Sequence, residues 1–126
     1  GKAKRNFLHI DDYVNGIDKI IQMDRRAKDK VRFDIYHLAG EEMYSIKEVV
    51  EMVCKIHNID YDKLVTSGIS RQHEDKIYSL STEKARDELL WKPSICLGEG
   101  ILLSKEYYKN KLSGVKTTDL EYTVRP

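Results

Sequence analysis

Strand-forming stretches are scarce in this sequence, and each is separated from the next by a helical pattern. Four short runs have strand-like composition: Asn6 to Ile10, Phe33 to Leu38, Leu64 to Thr66 and Ile77 to Leu80. Strands that alternate with helices pair in parallel, and a parallel sheet has both faces covered by helices. Two or three isolated strands make a poor sheet by themselves. The expected fold is therefore α/β and helix-rich, with a few short parallel strands belonging to a sheet that lies partly outside this chain. The Phe33 to Leu38 strand, in particular, should need cover for its edges.

The patterns between those runs predict four helices. Val14, Ile17, Ile20 and Ile21 recur at helical spacing behind Asp11 and Asp12, either of which can cap. Ser45-Ile-Lys-Glu48 is a capping-box sequence, followed by the apolar stripe Ile46, Val49, Val50, Val53 and Ile56, which predicts a helix over residues 46–57. Ser81 or Thr82 should cap a third helix that ends near Leu90, because Pro93 disfavours helix just before it. Leu97, Ile101, Leu102, Tyr107 and Tyr108 mark a fourth, over residues 97–111. Gly40 is expected to turn the chain with positive φ. Trp91 is expected to pack the last two helices together.

A length of 126 residues suits one domain. Lys and Arg number 22 against 21 Asp and Glu, so bulk charge favours neither nucleic acid nor an anionic membrane surface. A nucleic-acid module built on Lys2, Lys4, Arg5 and Arg71 is the poorer reading, because basic and aromatic residues do not interleave. No apolar run is long enough to span a bilayer, and no apolar segment follows the basic start to make a secretory signal. Cys54 and Cys96 form no disulfide framework, and a reducing cytoplasm is the expected location. His37 and His57 stand alone and fit no metal spacing.

The order of these segments resembles a known family. Arg5-Asn-Phe-Leu-His-Ile-Asp-Asp12 is similar to the R-x-F-x-H-V-x-D stretch of extended short-chain dehydrogenases of the nucleotide-sugar epimerase/dehydratase type. Tyr36-His-Leu-Ala-Gly40 with Ser45-Ile-Lys-Glu48 resembles their Y-N-x-G … S-I-x-E segment. Arg71-Gln-His-Glu74, Ser81-Thr-Glu-Lys-Ala85 and Leu89-Leu-Trp-Lys-Pro93 resemble R-P-x-D, D-x-S-K-A and L-G-W-x-P. Leu97-Gly-Glu-Gly100 with Tyr107-Tyr108 resembles the closing helix. Five weak matches in the right order cover residues 5–110. The sequence departs from the pattern at Gln72, His73, Ser81 and Leu90, the last standing where the family has glycine.

The resemblance implies that residues 1–112 are the carboxy-terminal substrate-binding portion of a Rossmann-type enzyme, with 113–126 an irregular tail. The parent enzyme would oxidise a nucleotide-sugar at C4 with NAD or NADP and then epimerise, dehydrate or reduce it. The family's G-x-x-G-x-x-G cofactor turn does not occur here, and its catalytic Ser/Thr and Tyr-x-x-x-Lys are expected upstream of Gly1. Tyr107-Tyr-Lys-Asn-Lys111 matches Tyr-x-x-x-Lys in spacing alone. The chain by itself is thus expected to have no turnover, no cofactor-binding residue and no metal. Its expected partners are a nucleotide-diphosphate sugar, the missing amino-terminal Rossmann half and a second copy in a homo-oligomer. Arg5 and Arg71 are the implied diphosphate ligands, since guanidinium forks bind phosphate oxygens in pairs. Glu74 is the implied acceptor for a ribose or sugar hydroxyl. Phe7 and His9, alternating with Leu8 and Ile10, are placed on a pocket-facing strand face. The bland alternatives are surface arginines, a solvated glutamate and a structural histidine. The rival reading is an interaction domain, or gene remnant, that kept the fold and lost the ligand.

Overall fold

The computed structural model describes residues 1–26, 34–66, 68 and 75–113. In chain order the elements are β1 (Lys4–Asn6), α1 (Ile10–Arg26), β2 (Met43–Ser45), α2 (Ile46–His57), α3 (Tyr61–Leu64), β3 (Ile77–Tyr78), α4 (Glu83–Leu89) and α5 (Leu97–Leu112). The described chain is α/β and helix-rich, with one three-stranded sheet in the order β2-β1-β3.

The sheet is mixed. β1 pairs in parallel with β3 (Lys4 opposite Ile77, Arg5 opposite Tyr78), as expected, but antiparallel with β2 (Lys4 opposite Ser45, Asn6 opposite Met43). β2 lies outside every run with strand-like composition. It forms because the chain turns straight from β2 into α2. Ile46 N–H donates to the Ala3 carbonyl (3.0 Å) and Lys47 N–H to that of Gly1 (3.0 Å), extending the pairing along the start of the chain.

Three strand expectations are corrected. β1 ends at Asn6, so residues 7–9 form a connection and Ile10 already opens α1. Residues 34–38 are not a strand. Side-chain anchoring holds them instead: Tyr36 Oη donates to Glu88 (2.6 Å), and Tyr36 and Leu38 pack on the core around Trp91. Phe33 lies outside the described residues. Leu64 ends the short helix α3, which Asp60 caps by accepting the Asp62 N–H (3.2 Å).

α2 follows the capping box closely. Ser45 Oγ accepts the Glu48 N–H (3.1 Å), and Glu48 Oε2 accepts the Ser45 N–H (2.6 Å). Those bonds from Ser45 hold the Glu48 carboxyl below its ordinary pKa. Asn58 closes the helix in the left-handed conformation (φ 54°) that asparagine tolerates. Cys54 of this helix is buried.

The core centres on Trp91, which is 1% exposed and sits against Ala85 and Leu89 of α4. Ile20 and Met23 of α1, with Leu8, Tyr36 and Leu38, complete the cluster. Trp91 therefore packs α4 against α1, not against α5 as the sequence suggested. Its Nε1–H donates to the Asp12 carbonyl (3.0 Å), so the indole's polar edge is satisfied. Gly40 does not take positive φ. Its lack of a side chain matters for space, because a Cβ there would overlap the Phe7 carbonyl.

α4 ends on Leu90 in the left-handed region (φ 51°), where the side chain is 81% exposed and makes up for nothing. An L-residue with a branched side chain is strained there, and glycine is not. Leu90→Gly is expected to stabilise the fold by about 1 kcal/mol, against the usual entropic cost of glycine. A rise of a few degrees in the thermal midpoint by circular dichroism checks this; a fall would mean that the Leu90 backbone carries no strain.

Candidate substrate site

The site begins with a tether between distant parts of the chain. Asp12, in the first turn of α1, is 5% exposed. Its Oδ1 accepts from Ser94 N–H (3.0 Å) and Ser94 Oγ–H (2.8 Å), and its Oδ2 accepts from Ile95 N–H (2.9 Å). Burial raises the Asp12 pKa, but the bonds from Ile95 and Ser94 together outweigh it and hold the carboxyl below its ordinary value. Sequence reading made Asp12 a candidate helix cap. It is the anchor for residues 94–95, which lead directly into Cys96, the N-cap of α5. One buried carboxylate thereby fixes where α5 starts relative to α1.

α5 then runs beside α2, and Lys105 Nζ donates to the Ile56 carbonyl (3.1 Å) near the α2 C-terminus, where a cation complements the helix dipole. Between the two helices lies a cavity of about 670 Å³. The β1–α1 connection, Phe7 to Ile10, forms its floor. Val49 and His57 of α2 line one wall; Gly100, Ile101, Ser104 and Tyr108 of α5 line the other, with Cys96 and Leu97 at the entry to the helix. Gly100 allows close approach, since a Cβ there would lie 3.1 Å from His9 Cδ2. The His9 side chain is mostly buried, and its Nδ1 accepts the Asp11 N–H (3.3 Å). Among the described lining residues there is no carboxylate, whereas Lys105 and Lys109 are present. The arrangement suits a partly apolar organic molecule that also carries negative charge. A smaller hollow of about 190 Å³ adjoins it, sharing Phe7, Cys96 and Leu97 and adding Glu41, Glu42, Tyr44 and Ser94.

The structure brings together two of the five residues singled out from sequence: Phe7 and His9 both line the cavity, in a connection and not on a strand. Arg5 sits on β1, its guanidinium donating to the Lys4 carbonyl (2.7 Å), and it is not part of the cavity lining. Arg71 and Glu74 lie outside the described residues, as do Gln72 and His73. Sequence reading missed the α5 wall. Its signal was present as Cys96, Gly100, Ser104 and Tyr108, one residue per helical turn, two of them glycine or serine that leave room beside a helix.

The family's G-x-x-G-x-x-G turn does not occur in the sequence, and among the described glycines only Gly68 and Gly98 have open space around them. No described glycine has positive φ. The spaces left by Gly16, Gly40 and Gly100 are filled by Leu38 and Trp91, by the Phe7 backbone and by His9. None of the three leaves the open backbone that a pyrophosphate approaches at a helix N-terminus.

A family model described as GDP-mannose 4,6 dehydratase matches residues 1–103. An uncharacterized protein of Schizosaccharomyces pombe is 30% identical over 124 residues, covering 86% of this chain and 33% of its own length. A dTDP-glucose 4,6-dehydratase of Streptomyces antibioticus is 26% identical over 110 residues, covering 87% and 31%. The crystal structure of dTDP-glucose 4,6-dehydratase from Bacillus anthracis in complex with NAD superposes with a TM-score of 0.71 at 22% identity, over 90% of this chain and 33% of that one. This chain thus spans about a third of the length of the curated relatives it matches. No helix among the described residues is long and apolar enough to cross a membrane.

Proposed function

The chain belongs to the GDP-mannose 4,6-dehydratase family, and on that premise we propose that it is the nucleotide-sugar-binding part of an NAD(P)-dependent sugar dehydratase or epimerase of the cytoplasm. The observation that carries this reading is the cavity floored by Phe7 and His9, two residues beyond the strand that bears Arg5. In this reading Arg5 and Arg71 grip the diphosphate and Glu74 accepts a sugar or ribose hydroxyl, while Phe7 and His9 form the floor on which the ligand rests. The nicotinamide cofactor supplies the hydride chemistry in the whole enzyme. In this reading it is held by other polypeptide, because the sequence carries no G-x-x-G-x-x-G turn.

Titration calorimetry with UDP-, GDP- and dTDP-sugars tests the proposal on this chain directly. One of the three is expected to bind, and Arg5→Ala and Arg71→Ala should each weaken it about tenfold, the worth of one charge-assisted hydrogen-bond pair. If none of the three binds, the chain is an interaction domain that kept the fold without the ligand.

A further inference from the structure

The two hollows of the site differ in chemistry. Among their described lining residues, the larger cavity has Lys105 and Lys109 but no carboxylate, and the smaller has Glu41 and Glu42 but no cation. They meet at Phe7, Cys96 and Leu97. Arg5 stands directly opposite Tyr44 in the pairing of β1 with β2, so the two side chains share a face of the sheet, and Tyr44 lines the smaller hollow. A diphosphate held by Arg5 therefore lies beside that hollow. Its carboxylates suit the hydroxyls of a hexose, which donate to them; Glu42 already accepts the Tyr44 hydroxyl and has lone pairs to spare. The nucleoside end is then left for the larger cavity.

We infer that the larger cavity receives the base of the nucleotide-sugar and that this base is a pyrimidine-2,4-dione, uracil or thymine, in preference to guanine. This rests on the functional reading above and adds the class of nucleotide. The polar groups along the cavity are weighted toward donors. His9 Nδ1 accepts the Asp11 N–H, so in that ring Nε2 carries the hydrogen and is the donor. Lys105 and Lys109 have hydrogens to give and no lone pair, while Ser104, Tyr108 and His57 serve either way. No described lining side chain is an acceptor alone. A dione ring shows two carbonyl oxygens around a single N–H and is matched by donors. Guanine presents N1–H and an amino group side by side, which call for a carboxylate or a similar pair of acceptors. Burying those groups unpaired counts against guanine. The length also suits a nucleoside: Lys105 stands eight residues along α5 from Leu97, about 12 Å from the junction with the smaller hollow.

Titration calorimetry with dTDP-glucose, UDP-glucose and GDP-glucose holds the sugar constant and varies the base. The dTDP and UDP compounds are expected to bind at least about tenfold more tightly than the GDP compound. The sugar-free diphosphates dTDP, UDP and GDP should keep that order, which frees the result from the choice of hexose. Lys109→Glu, at an exposed position of the cavity wall, puts an acceptor where a donor stood. It should narrow the preference for the diones at least about fivefold, and Ser104→Asp should act in the same direction. The readout is the ratio of affinities, which a general loss of binding leaves unchanged. If the GDP compounds bind as tightly as the pyrimidine compounds, or more tightly, the inference is overturned while the functional reading stands. A dione preference that neither variant alters would put the base outside this cavity and overturn the inference as well. If none of the six compounds binds, the functional reading itself falls and takes the inference with it.

Discussion

Replacing Trp91 with alanine is expected to lower folding stability by about 4 kcal/mol, a large part of the total for a domain of this size. The indole is 1% exposed and touches both helices that sandwich it, so truncation opens a cavity bounded by Ala85, Leu89, Ile20 and Leu38. Ala85 is too small and Gly16 too constrained by Leu38 to fill it. The Asp12 carbonyl loses its donor as well. Trp91→Phe keeps most of the apolar volume and drops the hydrogen bond, and should cost about 1–2 kcal/mol. Urea unfolding followed by far-ultraviolet circular dichroism measures both, since Trp91 is the chain's single tryptophan and its fluorescence goes with it. An alanine variant within 1 kcal/mol of the parent would mean that the core does not depend on this residue.

That dependence explains which elements were readable in the sequence. α2 and α5 announced themselves because their signals are local: a capping box and an apolar stripe for one, spaced apolar residues for the other. The Leu90 turn was read from the proline that follows it. The strands were not readable in the same way. Residues 34–38 are β-compatible, yet Tyr36 and Leu38 pack on the Trp91 cluster while the strand position is taken by Met43–Ser45. Pairing partners across about 40 residues leave no trace in composition, and burial against a distant tryptophan looks the same as burial in a sheet. The site divides along the same line. Phe7 and His9, singled out by alternation within one short segment, line the cavity, whereas the α5 wall and the Asp12 tether depend on contacts more than 80 residues apart.

Asp12→Asn is expected to cost about 2–3 kcal/mol and to loosen the start of α5. The carboxylate accepts three donors, two of them backbone N–H groups of Ser94 and Ile95. An amide offers one oxygen and sets its NH₂ against a donor, leaving a part-buried N–H unsatisfied. The pH dependence separates this account from a simple packing defect. The native carboxyl titrates below its ordinary value of 3.8, so its contribution is fully present above that pH. It is lost as pH falls from 3.8 through the depressed native pKa, because protonation of the folded state removes the charge the donors hold. The stability gap between parent and Asp12→Asn should therefore be constant near neutrality and shrink below pH 3.8. A gap unchanged with acidification would assign Asp12 a purely steric role. Because residues 94–95 lead straight into α5, the same variant should weaken the proposed nucleotide-sugar binding at neutral pH, although Asp12 lines neither hollow. The wall formed by Gly100, Ser104 and Tyr108 keeps its place over His9 only while the helix that bears it is tied to α1.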